Sequence, residues 1–287
     1  FILFTNQVIN NFDEVSKNSK LKIEIMSKNR IKIKNKIRKN NYDISKKIEM
    51  IELLLNDCKE LGAVEFSKMA RMGFISTIIL KSMVKTNNIS KKIEDSILNS
   101  IESPLTQFQQ DLMSYYKKKI SKTKFLTKYG HLRPGTYDIT QLRYDQDNKF
   151  LEQMQFKSNV NTVKISSNKI NKILEKNGID TSSINFIDFV KRSLEYREEF
   201  KFQFTKNLSD ILELINDIGT EFNFTRNEIA NLDIKTIIKS KNVSKKIIKE
   251  KWNKKIQLNK KQKKINNHLI LPPLIYKKND FNIIEYY

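Results

Sequence analysis

Apolar side chains recur every three or four residues along most of the chain, which is the spacing of one face of an α-helix. The longest series runs from Tyr196 to Phe222, with successive spacings of four, four, four, three, four, three and four. A second series runs from Ala63 to about Thr86 and covers nearly all helical faces. We expect this second helix to lie at the buried centre of a bundle. The spacing predicts an all-α fold, an irregular multi-helix bundle.

Helix start and stop signals divide this pattern. We expect one helix to end at Gly62, because glycine is common just after a helical C-terminus. Ser103 followed by Pro104 indicates a helix start, with serine as the cap and proline in the first turn. Thr225 with Glu228 three residues later forms a capping-box pattern. These signals predict several separate helices.

Three stretches lack a clear helical pattern. Residues 17–41 are basic and poorly patterned, so we expect a linker or an exposed helix there, and residues 148–163 are ambiguous. Near the end, Pro272 and Pro273 exclude a helix, and the last residues are strand-like. We therefore predict one helical domain over residues 1–264 and a short extended C-terminal linker over residues 265–287.

The formal net charge of +22 is concentrated in two segments. Lys17 to Lys47 carries a net +10 and Lys235 to Lys264 a net +12, so the remainder is balanced. One interpretation is a contact with nucleic acid or an anionic membrane. The other is a drift towards lysine, asparagine and isoleucine on solvated helix faces. We favour the second, because no nucleic-acid motif or aromatic stacking platform accompanies either segment.

Several kinds of site and location are excluded by composition. Cys58 is the single cysteine, so an internal disulfide is impossible, and its place on an apolar stripe indicates a buried, inert thiol. We find no phosphate-binding glycine loop, no GxSxG motif and no paired-histidine zinc motif. The longest apolar run, residues 73–80, is shorter than the roughly 18 residues of a membrane span. We expect a cytoplasmic protein without a metal site.

The stretch from Phe125 to Tyr144, FLTKYGHLRPGTYDITQLRY, is the densest in glycine, proline, arginine and histidine. Such a polar loop among helices is a common place for ligand contact. Arg133 and Arg143 are expected to form a cationic mouth, because guanidinium groups bind carboxylate or phosphate through two parallel hydrogen bonds. The alternative is that both arginines only pin the loop onto the bundle.

Other residues of this loop complete the predicted site. Gly130 frees the backbone to bring His131 towards a ligand, and Tyr137 and Tyr144 offer flat apolar walls with a polar tip. Asp138 could orient His131 or pair with either arginine, but we favour a structural role in which it helps to pin the loop onto the bundle. The residues predicted to shape the loop are Gly130, Pro134, Gly135 and Asp138.

Arg71 is a further candidate, because it lies within the apolar helix that starts near Ala63. A guanidinium in such a place must be paired or must face a cavity. We favour an ion pair with Glu65 or with a carboxylate of a neighbouring helix. The functional alternative is an anion contact that faces the loop.

The segment KYGHLRPGTYDI followed by LRY resembles a signature of the phosphoenolpyruvate synthase and rifampin phosphotransferase superfamily. Further stretches that are similar to this family start at Glu198, Thr225 and Leu271. The residues that match the signature are Tyr129, Gly130, His131, Pro134, Gly135, Asp138 and Arg143.

The resemblance implies a middle, acceptor-side helical domain of a longer protein. In such an enzyme an ATP-grasp domain uses Mg-ATP, a swivelling domain carries a phosphohistidine, and a third region binds a small-molecule acceptor. Arg133, Arg143 and Arg71 would then hold anionic groups while His131 positions the acceptor. The ATP site and the phosphohistidine would lie outside this chain, which would bind no cofactor and would not be catalytic alone.

Two other classes of function stay open at this point. One is a basic helical module that binds RNA or DNA, which we regard as the weaker hypothesis. The other is a structural spacer between catalytic domains.

Overall fold

The computed structural model describes residues 2–40, 42–147, 149, 167–270, 274–279 and 285–286. The all-α prediction is confirmed, since helices dominate these residues and the two strands are each two residues long. The elements are α1 Ile2–Asn10, α2 Phe12–Lys39, α3 Ile44–Asp57, a π-helical segment Cys58–Ala63, α4 Val64–Lys85, α5 Lys91–Asn99, α6 Pro104–Tyr116, α7 Lys122–Tyr129, α8 Ser167–Lys176, α9 Phe186–Glu221, α10 Arg226–Ile229, α11 Ile234–Ile238, α12 Lys245–Asn266, β1 Leu269–Ile270 and β2 Glu285–Tyr286.

The chain divides into two compact units. Unit 1 consists of Phe1–Asn40, Leu53–Thr136 and Leu142–Asp210, and unit 2 consists of Asn41–Glu52, Tyr137–Gln141 and Ile211–Tyr287. Helices α3 and α9 each supply residues to both units. The predicted boundary near residue 264, with a linker towards a further domain, stays a prediction.

Helix α2 of unit 1 corrects the prediction for residues 17–41. Its buried residues are Phe12, Ser16, Ser19, Ile23 and Met26, which alternate at spacings of four and three. The two serines interrupt the apolar stripe, so the sequence pattern was obscured. The helix alternative is therefore confirmed for residues 17–39 and the linker alternative is wrong; the helix is mostly exposed apart from this buried face.

The expected helix end at Gly62 is also wrong. Helix α3, the π-helical segment and α4 follow one another without a break, and Gly62 lies buried inside the π-helical segment. A Cβ added to Gly62 would lie 2.7 Å from the Cβ of Phe204 and 3.1 Å from the sulfur of Met26. The glycine thus permits close packing of helices within unit 1.

Helix α4 is buried on one side only. Met69, Ile79 and Leu80 are buried in the core of unit 1, whereas Phe74 and Ile78 are 60% and 57% exposed. The prediction of a helix buried on nearly all faces is wrong. Apolar residues lie on most faces of this helix, but their pattern does not show which faces pack against another helix.

The capping predictions are confirmed. The side chain of Ser103 accepts a hydrogen bond from the backbone N–H of Thr106, and Thr225 and Glu228 form the expected capping box. These interactions join residues three apart, so the local sequence is sufficient to predict them here.

Unit 2 has a core built on the last turns of α9 and on α12. Ile248, Trp252 and Ile256 recur every four residues along α12 and are buried. The Trp252 indole N–H donates to the Ser240 hydroxyl at 2.9 Å, and the ring packs edge-on against Phe222 with 5.7 Å between centroids.

Only part of the C-terminal prediction can be compared with the structure. Within unit 2, β1 pairs antiparallel with β2, with Leu269 opposite Tyr286 and Ile270 opposite Glu285. Pro272 and Pro273 lie outside the described residues, as does the ambiguous stretch 148–163 apart from Lys149.

Candidate functional site

The two ends of the central loop pair with each other in unit 1, directly after α7. The Tyr144 N–H donates to the Leu132 carbonyl at 2.8 Å, and the Asp145 N–H donates to the Gly130 carbonyl at 3.2 Å. A Cβ on Gly130 would lie 2.8 Å from the Cβ of Asp145, so this close pairing requires glycine. The pairing sets the backbone of residues 130–132 against that of residues 144–145.

A cavity of about 630 Å³ in unit 1 lies at this loop, and we call it the cationic cleft. Helix α2 supplies three of its cations, and α7, the loop and α9 supply one each. The cationic residues are Arg30, Lys34, Arg38, Lys122, Arg143 and Lys206, and the other lining residues are Ile31, Asn35, Thr123, Leu126, Thr127, His131 and Asp145.

Arg143 is a buried cation fixed by two carboxylates. Its Nε and Nη2 donate to Asp145 at 3.0 and 2.8 Å, and its Nη1 donates to Asp210 at 3.0 Å. Asp210 also accepts from Arg30 at 2.7 Å, so this carboxylate joins two arginines of the cleft. Burial alone lowers the pKa of Arg143, but Asp145 and Asp210 outweigh it and raise the pKa. Arg143 therefore stays charged.

His131 is a neutral group in the cleft. Its side chain is 7% exposed, and burial, together with the charges of Lys206, Arg143, Arg30 and Lys34, lowers its pKa to about 2. Its Nε2 is buried and has no hydrogen-bond partner among the described residues. In either tautomer this nitrogen therefore has an unsatisfied capacity to donate or to accept one hydrogen bond.

The pKa values of two lysines in the cleft are also lowered. Burial lowers the pKa of Lys206 to about 8, with Arg30 acting in the same direction and Glu199 against it. Burial also lowers the pKa of Lys34, and the attraction of Asp210 only partly opposes this. A bound anion would favour the charged form of both lysines.

Arg133 is buried at 3% exposure but is not among the residues that line the cleft. Its Nη2 donates to the Ser209 hydroxyl at 3.1 Å, and that hydroxyl donates to the His131 carbonyl at 2.6 Å. These contacts connect the loop to α9. The structure thus brings His131 and Arg143 together in the cleft and gives Arg133 contacts that position their loop.

The two tyrosines predicted as walls belong to different units. Tyr144 lines a smaller cavity of about 360 Å³ in unit 1, together with Phe108, Leu132 and Phe202 among others. Tyr137 belongs to unit 2 and is 55% exposed. Neither tyrosine is among the residues that line the cationic cleft.

Asp138 and its neighbours form a turn. The Asp138 carboxylate accepts from the backbone N–H and the hydroxyl of Thr140 at 2.9 and 2.7 Å, which is a local contact within unit 2. Pro134 and Gly135 form a bend in unit 1.

Arg71 is exposed on α4 and is not among the residues that line the cleft. Glu65, its suggested partner, instead accepts from Ser19 at 2.6 Å and from Lys22 and Lys68 at 3.0 and 2.8 Å. Arg71 therefore does not line the cleft with His131 and Arg143.

Comparison of the chain with family models, curated proteins and solved structures gives no match. Among the described residues, no three His, Cys, Asp or Glu side chains gather closely enough to hold a metal ion. None of the helices in that part of the chain is both long enough and apolar enough to cross a membrane.

Sequence reasoning missed most of the cations in the cleft. Arg30, Lys34 and Arg38 belong to the basic segment that we interpreted as solvated helix faces. They are spaced four residues apart, which places them on one face of α2, so a helical projection of the basic residues could have found them. Lys206 had no such signal, because only its position on α9 beside the loop brings it to the cleft.

Proposed function

We propose that unit 1 is the acceptor-side domain of a phosphotransferase that is similar to phosphoenolpyruvate synthase. In this proposal the cationic cleft binds the anionic part of the phosphoryl acceptor. One observation carries the proposal: His131 and Arg143, both from the signature-like loop, line one cleft together with five further cations. Guanidinium and ammonium groups in this arrangement suit phosphate or carboxylate.

The chemistry of the cleft fits phosphoryl transfer. Arg143 and Lys206 would compensate the negative charge that spreads over the transferred group, which is the main protein contribution in such reactions. His131, kept neutral by its surroundings, would hydrogen-bond to the acceptor without adding charge. Mg-ATP and the phosphohistidine would be supplied by an ATP-grasp domain and a swivelling domain of the same longer protein.

Titration with phosphoenolpyruvate and inorganic phosphate, followed by NMR of the backbone amides, tests the anion site. We expect shifts at α2, α7 and the loop, and weaker binding of Arg38→Gln than of wild type. Lys36→Gln is the matched control, because Lys36 is exposed on the same helix and is not among the lining residues. Absence of binding at millimolar anion would contradict the proposal.

Labelling with radioactive ATP tests the assignment of this chain as the acceptor side. The chain alone should neither hydrolyse ATP nor take up the label, because the resemblance assigns both steps to other domains. Strong autophosphorylation of the chain would show that its role was misassigned. The surrounding reading frame gives an independent test, with an ATP-grasp pattern expected upstream and a Ser-His phosphocarrier pattern downstream.

Nucleic-acid binding by unit 2 is the second candidate, and one observation favours it. Helix α12 exposes Lys245, Lys246, Lys249, Lys251 and Lys254. Filter binding of RNA and DNA at increasing salt discriminates the two candidates. Tight binding with a steep salt dependence would support a nucleic-acid module.

A further inference from the structure

We propose that the acceptor in the cationic cleft is a phosphorylated sugar or polyol. Its phosphate would be held by the cations, and its hydroxyl groups by the polar rim and by His131. This inference rests on the proposed function, because it names the class of acceptor for the same cleft.

The first argument is charge. Six cations line the cleft, while Asp145 and the neighbouring Asp210 are the carboxylates that pair with Arg143 and Arg30. Among the described residues that line this cavity, cations therefore outnumber carboxylates. A phosphate monoester carries about −1.5 to −2 at pH 7, more than a single carboxylate does. The cleft therefore favours a phosphate group over a simple acid.

The second argument is the chemistry of the rim. Asn35, Thr123 and Thr127 are exposed residues that line the cleft, and their amide and hydroxyl groups can bind ligand hydroxyls. The Thr127 hydroxyl donates to the Thr123 carbonyl at 2.8 Å, and its oxygen is still able to accept. Among the described lining residues there is no Phe, Tyr or Trp, so a nucleotide base would find no large aromatic ring to stack on. This favours a polyhydroxy ligand over a nucleoside.

The third argument is a pair of buried nitrogen atoms. Arg30 Nε and His131 Nε2 are buried and lack a hydrogen-bond partner within the described part of the chain, and both residues line the cleft. Buried polar atoms are nearly always satisfied, by protein, water or ligand. The arginine N–H can only donate, so it needs an acceptor such as a phosphate oxygen. A hydroxyl group satisfies either tautomer of the histidine, because it both donates and accepts.

The fourth argument is size. At about 30 Å³ for each water, the cavity of about 630 Å³ corresponds to about 20 water molecules. A three-carbon acid would leave much of that space to solvent. A pentose or hexose phosphate fills more of it.

Isothermal titration at fixed ionic strength tests the proposal with a panel of pentose, hexose and hexosamine monophosphates. Unphosphorylated glucose, inorganic phosphate and phosphoenolpyruvate are the comparison ligands. We expect at least one sugar phosphate to bind tenfold or more tightly than inorganic phosphate and phosphoenolpyruvate, and glucose to show no binding.

Variants of exposed rim residues test separately how the cleft binds the phosphate and how it binds the hydroxyl groups of the ligand. Arg38→Gln should weaken every phosphate ligand severalfold, and Asn35→Leu should weaken only the sugar phosphate. Both positions are exposed on α2, so neither substitution disturbs the core. Lys36→Gln again serves as the control and should leave all affinities unchanged.

The outcomes distinguish the two proposals. If inorganic phosphate and phosphoenolpyruvate bind as tightly as every sugar phosphate, the acceptor class is wrong and the anion site of the proposed function stands. If no anion binds, the proposed function fails and this inference fails with it. Sugar-phosphate binding that Arg38→Gln leaves unchanged would place the ligand elsewhere and overturn the inference.

Discussion

Acidification should destabilise unit 1 through His131. In the folded chain its pKa is lowered to about 2 by burial and by the cations Lys206, Arg143, Arg30 and Lys34. In the unfolded chain a histidine has a pKa of about 6.5. Below that pH the unfolded state binds a proton that the folded state does not, so the unfolding free energy falls as the pH falls.

The magnitude follows from these two pKa values. This contribution to stability is fully present above about pH 6.5 and is lost progressively as the pH falls towards the folded-state pKa. Between pH 7 and pH 5 the unfolded state gains about 0.7 of a proton at this site. The linked loss of unfolding free energy is about 2 kcal/mol.

Two measurements check this prediction. An NMR titration of the ring carbons should show that His131 does not titrate between about pH 8 and pH 4. Urea unfolding, followed by helical circular dichroism at pH 7 and pH 5, should show a pH-dependent loss in wild type. In His131→Gln this loss should be smaller by about 2 kcal/mol, whatever the effect of the substitution at pH 7.

His268→Gln provides the matched control. His268 is the other histidine of the chain and is exposed at the end of α12, so the difference between the two variants isolates the buried ring. If His131 titrates above pH 5, or if wild type and His131→Gln lose the same free energy, burial and the surrounding cations do not set its charge. The neutral histidine of the proposed site would then be refuted.

Two glycine substitutions and the labelling of one cysteine test the packing of unit 1. Gly62→Ala should lower the unfolding free energy by about 1–3 kcal/mol in urea unfolding, because the new Cβ would lie 2.7 Å from the Cβ of Phe204. Gly73→Ala should cost less, since its Cβ would meet the movable end of Leu194 at 3.0 Å, and equal losses would contradict this reasoning. Burial raises the pKa of Cys58 to about 11, so its reaction with a thiol reagent at pH 8 should be slow until urea unfolds the chain; rapid labelling of the folded chain would show an accessible thiolate.

Local patterns in the sequence predicted the helices well. The stripe that includes Phe200, Ile215 and Phe222 is buried, and the caps at Ser103 and Thr225 form as expected. These features depend on residues three or four positions apart, which the helix itself brings together. The chain alone therefore carried the information for its all-α character.

The same local patterns misled where packing between helices decides. Glycine is typical of a helix end, and Gly62 was predicted to be one. In unit 1 its missing side chain instead allows Phe204, which is distant in the sequence, to pack against the backbone of Gly62. Phe74 and Ile78 on α4 are apolar but exposed. Periodicity shows that a face is apolar, whereas only tertiary contacts show whether another helix covers it.

The candidate site was predicted only in part from the sequence. His131 and Arg143 were singled out because glycine and proline mark their loop, and both line the cleft. Arg38 and Lys206 come from helices that are distant in the sequence, so no local spacing connects them with that loop. The sequence by itself determined the helices and the loop, while the tertiary structure decided which cations share a cavity, because charge adds up in space and not along the chain.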